Sequence, residues 1–165
     1  MPQETSSGLV VTTPSDREVV MTRVFDAPCQ LVFDAWTKPE HLKRWFGGSG
    51  AVMIVCDVDL RVGGGYRFVW RLREGGEMGM RGVYREVARP ERLVSTETFE
   101  GPWFETMGGE VLNTLVLEER NGRTTMTITS LYASREARDG ALQTGMEDGA
   151  AESLDRMAEL LRSPL

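Results

Sequence analysis

The sequence predicts an α+β domain. A curved antiparallel sheet of about six to seven strands wraps a long C-terminal helix, and two short helices follow the first strand. Three observations carry this expectation. Strand-like segments follow one another from Val52 to Ala133 with only short turns between them. An amphipathic pattern at steps of three and four fills Arg135 to about Arg162. That helix must bury its apolar face, and the antiparallel sheet is the only large partner the chain offers, so a hollow is expected between sheet and helix.

Residues 1 to 15 are rich in Ser, Thr, Pro and Gln and read as a flexible tail. "REVVMTRVF" (Arg17 to Phe25) is rich in β-branched and apolar residues and reads as the first strand. Pro28 suits the first turn of a helix, and Leu31, Val32, Ala35 and Trp36 keep helical spacing behind it. A second short helix follows, with Thr37 as its expected cap, Pro39 and Glu40 in its first turn, and Leu42, Trp45 and Phe46 turned inward. "FGGSG" stops it.

From Val52 the period changes to two. "VMIVCDVDL" is followed by a glycine turn at Gly63 to Gly65, and "YRFVWRLR" places Tyr66, Phe68, Trp70 and Leu72 on one face and Arg67, Arg71 and Arg73 on the other. Further strands are expected at Met78 to Val87, Leu93 to Glu100, Val111 to Arg120 and Arg123 to Ala133, the last pair joined by the hairpin signal Asn121-Gly122. Ser134 caps the long helix. Its apolar row is Leu142, Met146, Ala150, Leu154, Met157 and Leu161, beside a small-residue row of Ala141, Gly145, Gly149 and Ser153. At about 1.5 Å per residue this helix would span roughly 40 Å.

Composition narrows the function classes. The 165 residues are 41% hydrophobic and 27% charged, with 25 acidic residues against 19 basic ones. The basic residues form nothing larger than short pairs such as Lys43-Arg44, so no nucleic-acid partner is expected. No apolar run approaches the length of a membrane span. The N-terminus has no basic region ahead of its short apolar run, Leu9 to Val11, and is not read as a secretory signal. Cys29 and Cys56 fit no metal or redox spacing and are read as small buried residues. Together these features point to the cytoplasm.

Four segments in order, "FDAPCQLVFDAWTKPEHLKRWFG", "GGGYRF", "GVYREVARPERLVST" and "GMEDGAAESLDRMAELL", resemble the SRPBCC superfamily, the START-like helix-grip fold shared with the birch-pollen allergen type. Within it the resemblance is to the branch named for the activator of the 90-kDa heat-shock protein ATPase. It covers about residues 17 to 162 and implies a START-like domain over residues 16 to 165. It also implies a range of roles: lipid or metabolite carriage, cyclase and dehydratase chemistry, and chaperone regulation. The family's last motif carries Gly-Trp before its acidic and small residues. Met146 stands in place of that tryptophan here, which implies a larger or more adaptable hollow.

Several residues invite a chemical role. His41, the single histidine, could act as a general base but sits beside Glu40 on a short amphipathic helix, and its expected place is at the solvated surface. The two-tryptophan segment around it reads as a packing clip closing one end of the hollow. One histidine and two distant cysteines make no zinc site, "MEDGAAE" lacks the spaced oxygen ligands of an EF-hand, and no nucleophile elbow or phosphate-cradling loop is present. No cofactor is expected. Asp57, Glu86 and Glu97 lie in strands whose facing the sequence leaves open; any that points inward would have its pKa raised.

The strongest case is a ligand pocket lined by Tyr66, Phe68, Trp70, Leu72, Phe99, Met146 and Ala150, with Trp103, Phe104 and Met107 as a lid from the loop between two strands. The expected function is therefore binding of a hydrophobic or aromatic small molecule. Two alternatives stand beside it: a cyclase- or aromatase-type enzyme acting on a polyketide-like substrate, and a protein-interaction or chaperone-regulating module. The resemblance implies an additional N-terminal chaperone-binding domain in the eukaryotic activator, so a chaperone partner is not expected for this single domain. A homodimer through a sheet edge is compatible with the sequence.

Overall fold

Residues 3–4 and 8–162 are described in a computed structural model of the chain. The first difference from expectation comes at once. β1 (Gln3–Glu4) and β2 (Val10–Thr12) occupy the stretch read as a flexible tail. β2 pairs antiparallel with β3 (Glu18–Phe25), Val11 opposite Met21, and Leu9 and Val11 are buried. A run of three apolar residues is too short to signal a strand alone; pairing along β3 and burial of Leu9 supply what local propensity lacks. Residues 1–2 and 5–7 of that expected tail, and 163–165 at the far end, lie outside the described residues.

Helices α1 (Cys29–Thr37) and α2 (Pro39–Trp45) follow, separated only by Lys38 in extended conformation. Thr37 does not cap α2 as expected. It is the buried last residue of α1, and its hydroxyl donates to the carbonyl of Phe33 at 2.9 Å, so Lys38 takes the capping position without a side-chain bond. Pro39 and Glu40 do stand in the first turn of α2.

The remaining strands are β4 (Val52–Val58), β5 (Gly65–Arg71), β6 (Glu77–Ala88), β7 (Arg92–Phe99), β8 (Val111–Arg120) and β9 (Arg123–Leu131), with a one-turn helix α3 (Trp103–Thr106) between β7 and β8. Among the described residues, the nine strands form one antiparallel sheet in the order β1-β2-β3-β9-β8-β7-β6-β5-β4. The seven strands read from the sequence are all there; β1 and β2 extend one edge. Asn121 and Gly122 both hold positive φ at the tip of the β8–β9 hairpin, as that dipeptide does in a tight turn.

The long helix is divided. α4 (Arg135–Gln143) and α5 (Met146–Arg162) meet at Thr144-Gly145. Gly145 has φ +81°, the left-handed conformation that ends helices, and the amides of Thr144 and Gly145 close the last turn on the carbonyls of Ala141 and Leu142. A continuous small-residue row through Gly145 hides this break in the sequence. Ser134 caps α4 as expected, its Oγ accepting from the amide of Ala137 at 3.0 Å. Ser134→Ala is expected to destabilise the fold by about 1 kcal/mol, read by urea unfolding. On α5 the buried apolar residues are Leu154, Met157 and Leu160, with Leu161 only half-buried, so the apolar row turns one residue earlier than the sequence pattern placed it. These residues meet Phe33, Leu42 and Trp45 of the short helices and the inward row of the sheet in one core. Among the described residues, no helix is long and apolar enough to cross a membrane.

Candidate functional site

Between the concave face of the sheet and α5 lies a cavity of about 440 Å³. Alternation builds its walls. β5 turns Tyr66, Phe68 and Trp70 inward; β7 turns Leu93, Ser95, Glu97 and Phe99; β8 contributes Asn113 and Leu115; β9 contributes Ile128 and Ser130. α5 closes the cavity with Met146, Gly149, Ala150, Ser153 and Leu154. Gly149 leaves real space, for a Cβ there would meet nothing within 4 Å.

The clip formed by α1 and α2 closes one end. Trp36 stands edge-on to Trp45 at 4.7 Å, and Phe46 packs against Trp45, Phe68 and Trp70. Trp45 Nε1 donates to the carbonyl of Ala35 at 2.8 Å; Trp36 Nε1 is buried without a partner among the described residues. The rim after α2 is tied down from both sides. Trp70 Nε1 donates to the carbonyl of Phe46 at 2.9 Å, and Ser153 Oγ donates to the carbonyl of Gly47 at 2.7 Å. Arg156 reaches the same Gly47 carbonyl and that of Trp45. Gly47 has φ +134°, and a Cβ there would stand 2.5 Å from Trp70 Nε1, so only glycine lets this rim lie on the indole.

Eight of the ten residues singled out from the sequence, Tyr66, Phe68, Trp70, Leu72, Phe99, Met107, Met146 and Ala150, line this cavity. Trp103 and Phe104 do not. Both sit on α3 outside the wall; Trp103 Nε1 points to the carbonyl of Glu77 at 3.4 Å, and Phe104 is 44% exposed. The lid expectation therefore reduces to Met107. His41 is half-buried on α2 and is not part of the cavity wall. His41→Ala is expected to change stability by no more than about 0.5 kcal/mol, and a larger fall in melting temperature would contradict this placement. Cys29 and Cys56 are free and half-buried rather than fully enclosed, and among the described residues no cluster suited to a metal ion is present.

The three undecided acidic residues separate cleanly. Asp57 is exposed, and Glu86 pairs with Arg92 at 2.6 Å on a half-exposed surface. Glu97 faces the cavity. Its Oε1 accepts from Asn113 Nδ2 at 2.9 Å, and Asn113 Oδ1 accepts from Ser130 Oγ at 2.7 Å. Ser95, Asn113 and Ser130 are directly opposed on β7, β8 and β9, so the register itself assembles a polar row under Glu97. Burial pushes the Glu97 carboxyl above its ordinary range, and the Asn113 hydrogen bond offsets this only in part. Burial, then the neighbouring Glu97, also raises Tyr66 and Tyr132. Tyr84 on the same wall is raised by burial.

Sequence reasoning passed over Asn113, Ser130, Tyr84 and Tyr132. The first two had a signal: each shares strand parity with apolar inward residues, Asn113 with Val111 and Leu115, Ser130 with Met126 and Ile128. A polar residue in such a row is either a defect or a device.

Comparison with known proteins agrees with the fold. Residues 26–162 match the family described as Activator of Hsp90 ATPase homolog 1-like protein. No curated protein matches the chain. A crystal structure of a Rhodobacter sphaeroides protein is similar at 28% identity and TM-score 0.86, covering 93% of this chain and 97% of its own. A solution structure from Staphylococcus epidermidis is 28% identical with TM-score 0.78, covering 92% and 93%. The AHSA1 protein of Silicibacter pomeroyi, 20% identical with TM-score 0.72 over 88% and 97%, shares the fold.

Proposed function

The chain belongs to the Activator of Hsp90 ATPase homolog 1-like family of the SRPBCC superfamily, and from that premise we propose that it binds a hydrophobic or aromatic small molecule between its sheet and its C-terminal helix. One observation carries the reading: a cavity of about 440 Å³ walled by Tyr66, Phe68, Trp70, Met80, Leu115 and Leu154. A space of that size, mostly apolar with a few placed polar groups, is the usual form of a small-molecule site. A filled core would have supported the protein-interaction alternative instead. Both cysteines are free, in keeping with a cytoplasmic role.

The experiment is native mass spectrometry of freshly purified protein, with extraction of small molecules, followed by titration with apolar fluorescent probes. A co-purified apolar or aromatic compound, or saturable probe binding at unit stoichiometry, supports the reading. A clean mass together with no probe binding overturns it. The same spectrum reports whether the chain dimerises.

A cyclase- or aromatase-type activity is the second reading. The observation that favours it is the convergence of Glu97, Tyr66 and Tyr132 inside the cavity, where burial and then Glu97 raise both phenols. Conversion of the extracted compound on incubation with the protein would separate turnover from carriage.

A further inference from the structure

The charged side chains lining the cavity are Arg73, Glu74 and Glu97. Arg73 and Glu74 are exposed, following β5 in the turn to β6. Glu97 alone is inside, with no cation paired to it among the described residues. Its Oε1 is held by Asn113; its Oε2 has no hydrogen-bond partner among the described residues and is not sealed off by protein.

We propose that Glu97 is the polar anchor of the cavity, a neutral carboxylic acid whose Oε2 hydroxyl donates a hydrogen bond to a carbonyl oxygen of an otherwise apolar, uncharged ligand. This inference rests on the ligand-binding reading and deepens it by naming the ligand's polar group.

The hydrogen-bond directions place the proton. Ser130 Oγ donates to Asn113 Oδ1, which leaves Asn113 Nδ2 to donate to Glu97 Oε1. The carbonyl oxygen of a carboxylic acid is its better acceptor, so Oε1, which accepts the N–H, takes that role and the hydroxyl is assigned to Oε2. The two phenols facing Glu97 are committed. Tyr66 donates to the carbonyl of Thr96 at 2.6 Å, and the Tyr132 hydroxyl lies 3.6 Å from Met146 Sδ. A free donor in an apolar space calls for an acceptor on the ligand. An apolar site that keeps a carboxyl group neutral at working pH turns it into such a donor. A cationic ligand fits less well: an ammonium carries three donors, and the ion pair must repay the desolvation of both charges.

The test compares prodan, a solvatochromic naphthyl ketone, with its ketone-free alkyl analogue, by fluorescence titration of the full chain. The wild type is expected to prefer prodan by about fivefold, the scale of one hydrogen bond, with emission shifted to the red. Glu97→Leu removes the preference and the shift, so that prodan loses more affinity than the analogue. Glu97→Gln keeps both, because its amide still donates once Asn113 has bonded its oxygen.

Raising the pH ionises Glu97 and weakens prodan binding in the wild type but not in E97Q. The groups facing Glu97, Tyr66 from β5 and Tyr132 after β9, stay neutral because their own pKa values are raised. Arg73 and Glu74 at the rim are common to both proteins and cancel in the comparison. If E97L fails to fold, this pH difference decides alone.

Equal wild-type affinity for the two probes overturns the proposal. So does an equal loss of both in E97L, which would mark a structural role, or Glu97-dependent binding of naphthylmethylamine that tightens as pH rises, which would mark a cation site. Binding of both probes without discrimination fells this inference alone; binding of neither fells the ligand-binding reading with it.

Discussion

Replacing Trp70 by alanine is expected to lower the free energy of unfolding by about 3–5 kcal/mol, measured by urea denaturation. The indole is 5% exposed on the inward face of β5. It meets Phe46 edge-on at 5.3 Å and Phe68 at 6.1 Å, and its Nε1 holds the Phe46 carbonyl. Truncation therefore removes buried apolar surface, two ring contacts and the side-chain donor to that carbonyl in one step. It also takes away the surface on which Gly47 rests. The α2–β4 rim would then hang on Ser153 and Arg156. Trp70 lines the cavity as well, so the space it vacates joins an existing hollow; this pulls the cost toward the lower end of the range. A loss below about 1 kcal/mol would mean that the indole hangs into an open space and packs nothing.

The sequence was most legible where one periodicity governed one surface. In β5 the bulky residues fall on one face and the arginines on the other, so alternation alone places Tyr66, Phe68 and Trp70. β7 was harder, because both faces are covered: Leu93 points in, yet Val94 and Thr96 are also buried. With apolar and polar residues on each face, the direction of Glu97 followed from neighbours the sequence does not identify, namely Asn113 and Ser130 on the adjoining strands. Register is a tertiary property, and a polar row across three strands appears only once register is set.

The two lid residues failed for a different reason. Turn geometry does not require bulky side chains, and that argument alone points Trp103 and Phe104 toward the cavity. The chain instead coils them into α3 outside the wall, beside β7 and α4. The helix break was ambiguous on its face, since a glycine inside a helical pattern can be a packing site or a stop. Gly149 stays inside α5 facing the open cavity, and Gly145 is the stop.

Met146→Trp is expected to weaken binding of an apolar probe by about tenfold or more while leaving stability unchanged or raised. Met146 opens α5 and lines the cavity, with its Sδ 3.6 Å from the Tyr132 hydroxyl. Overpacking a closed core strains it, typically by about 1–3 kcal/mol, because the added atoms have nowhere to go. Here they have somewhere to go: Gly149 and Ala150 on the next turn leave the space beside Met146 unfilled. An indole at this position grows into the hollow, gains contact with the apolar wall and takes the ligand's volume. Binding and stability should therefore move in opposite directions, which a merely disruptive substitution cannot do. Calorimetric titration and urea unfolding of the same protein read both. Unchanged affinity would place the ligand away from α5, against Glu97 and the strands alone. Loss of affinity with matching loss of stability would show that Met146 is packed core, and that the cavity begins deeper in the fold.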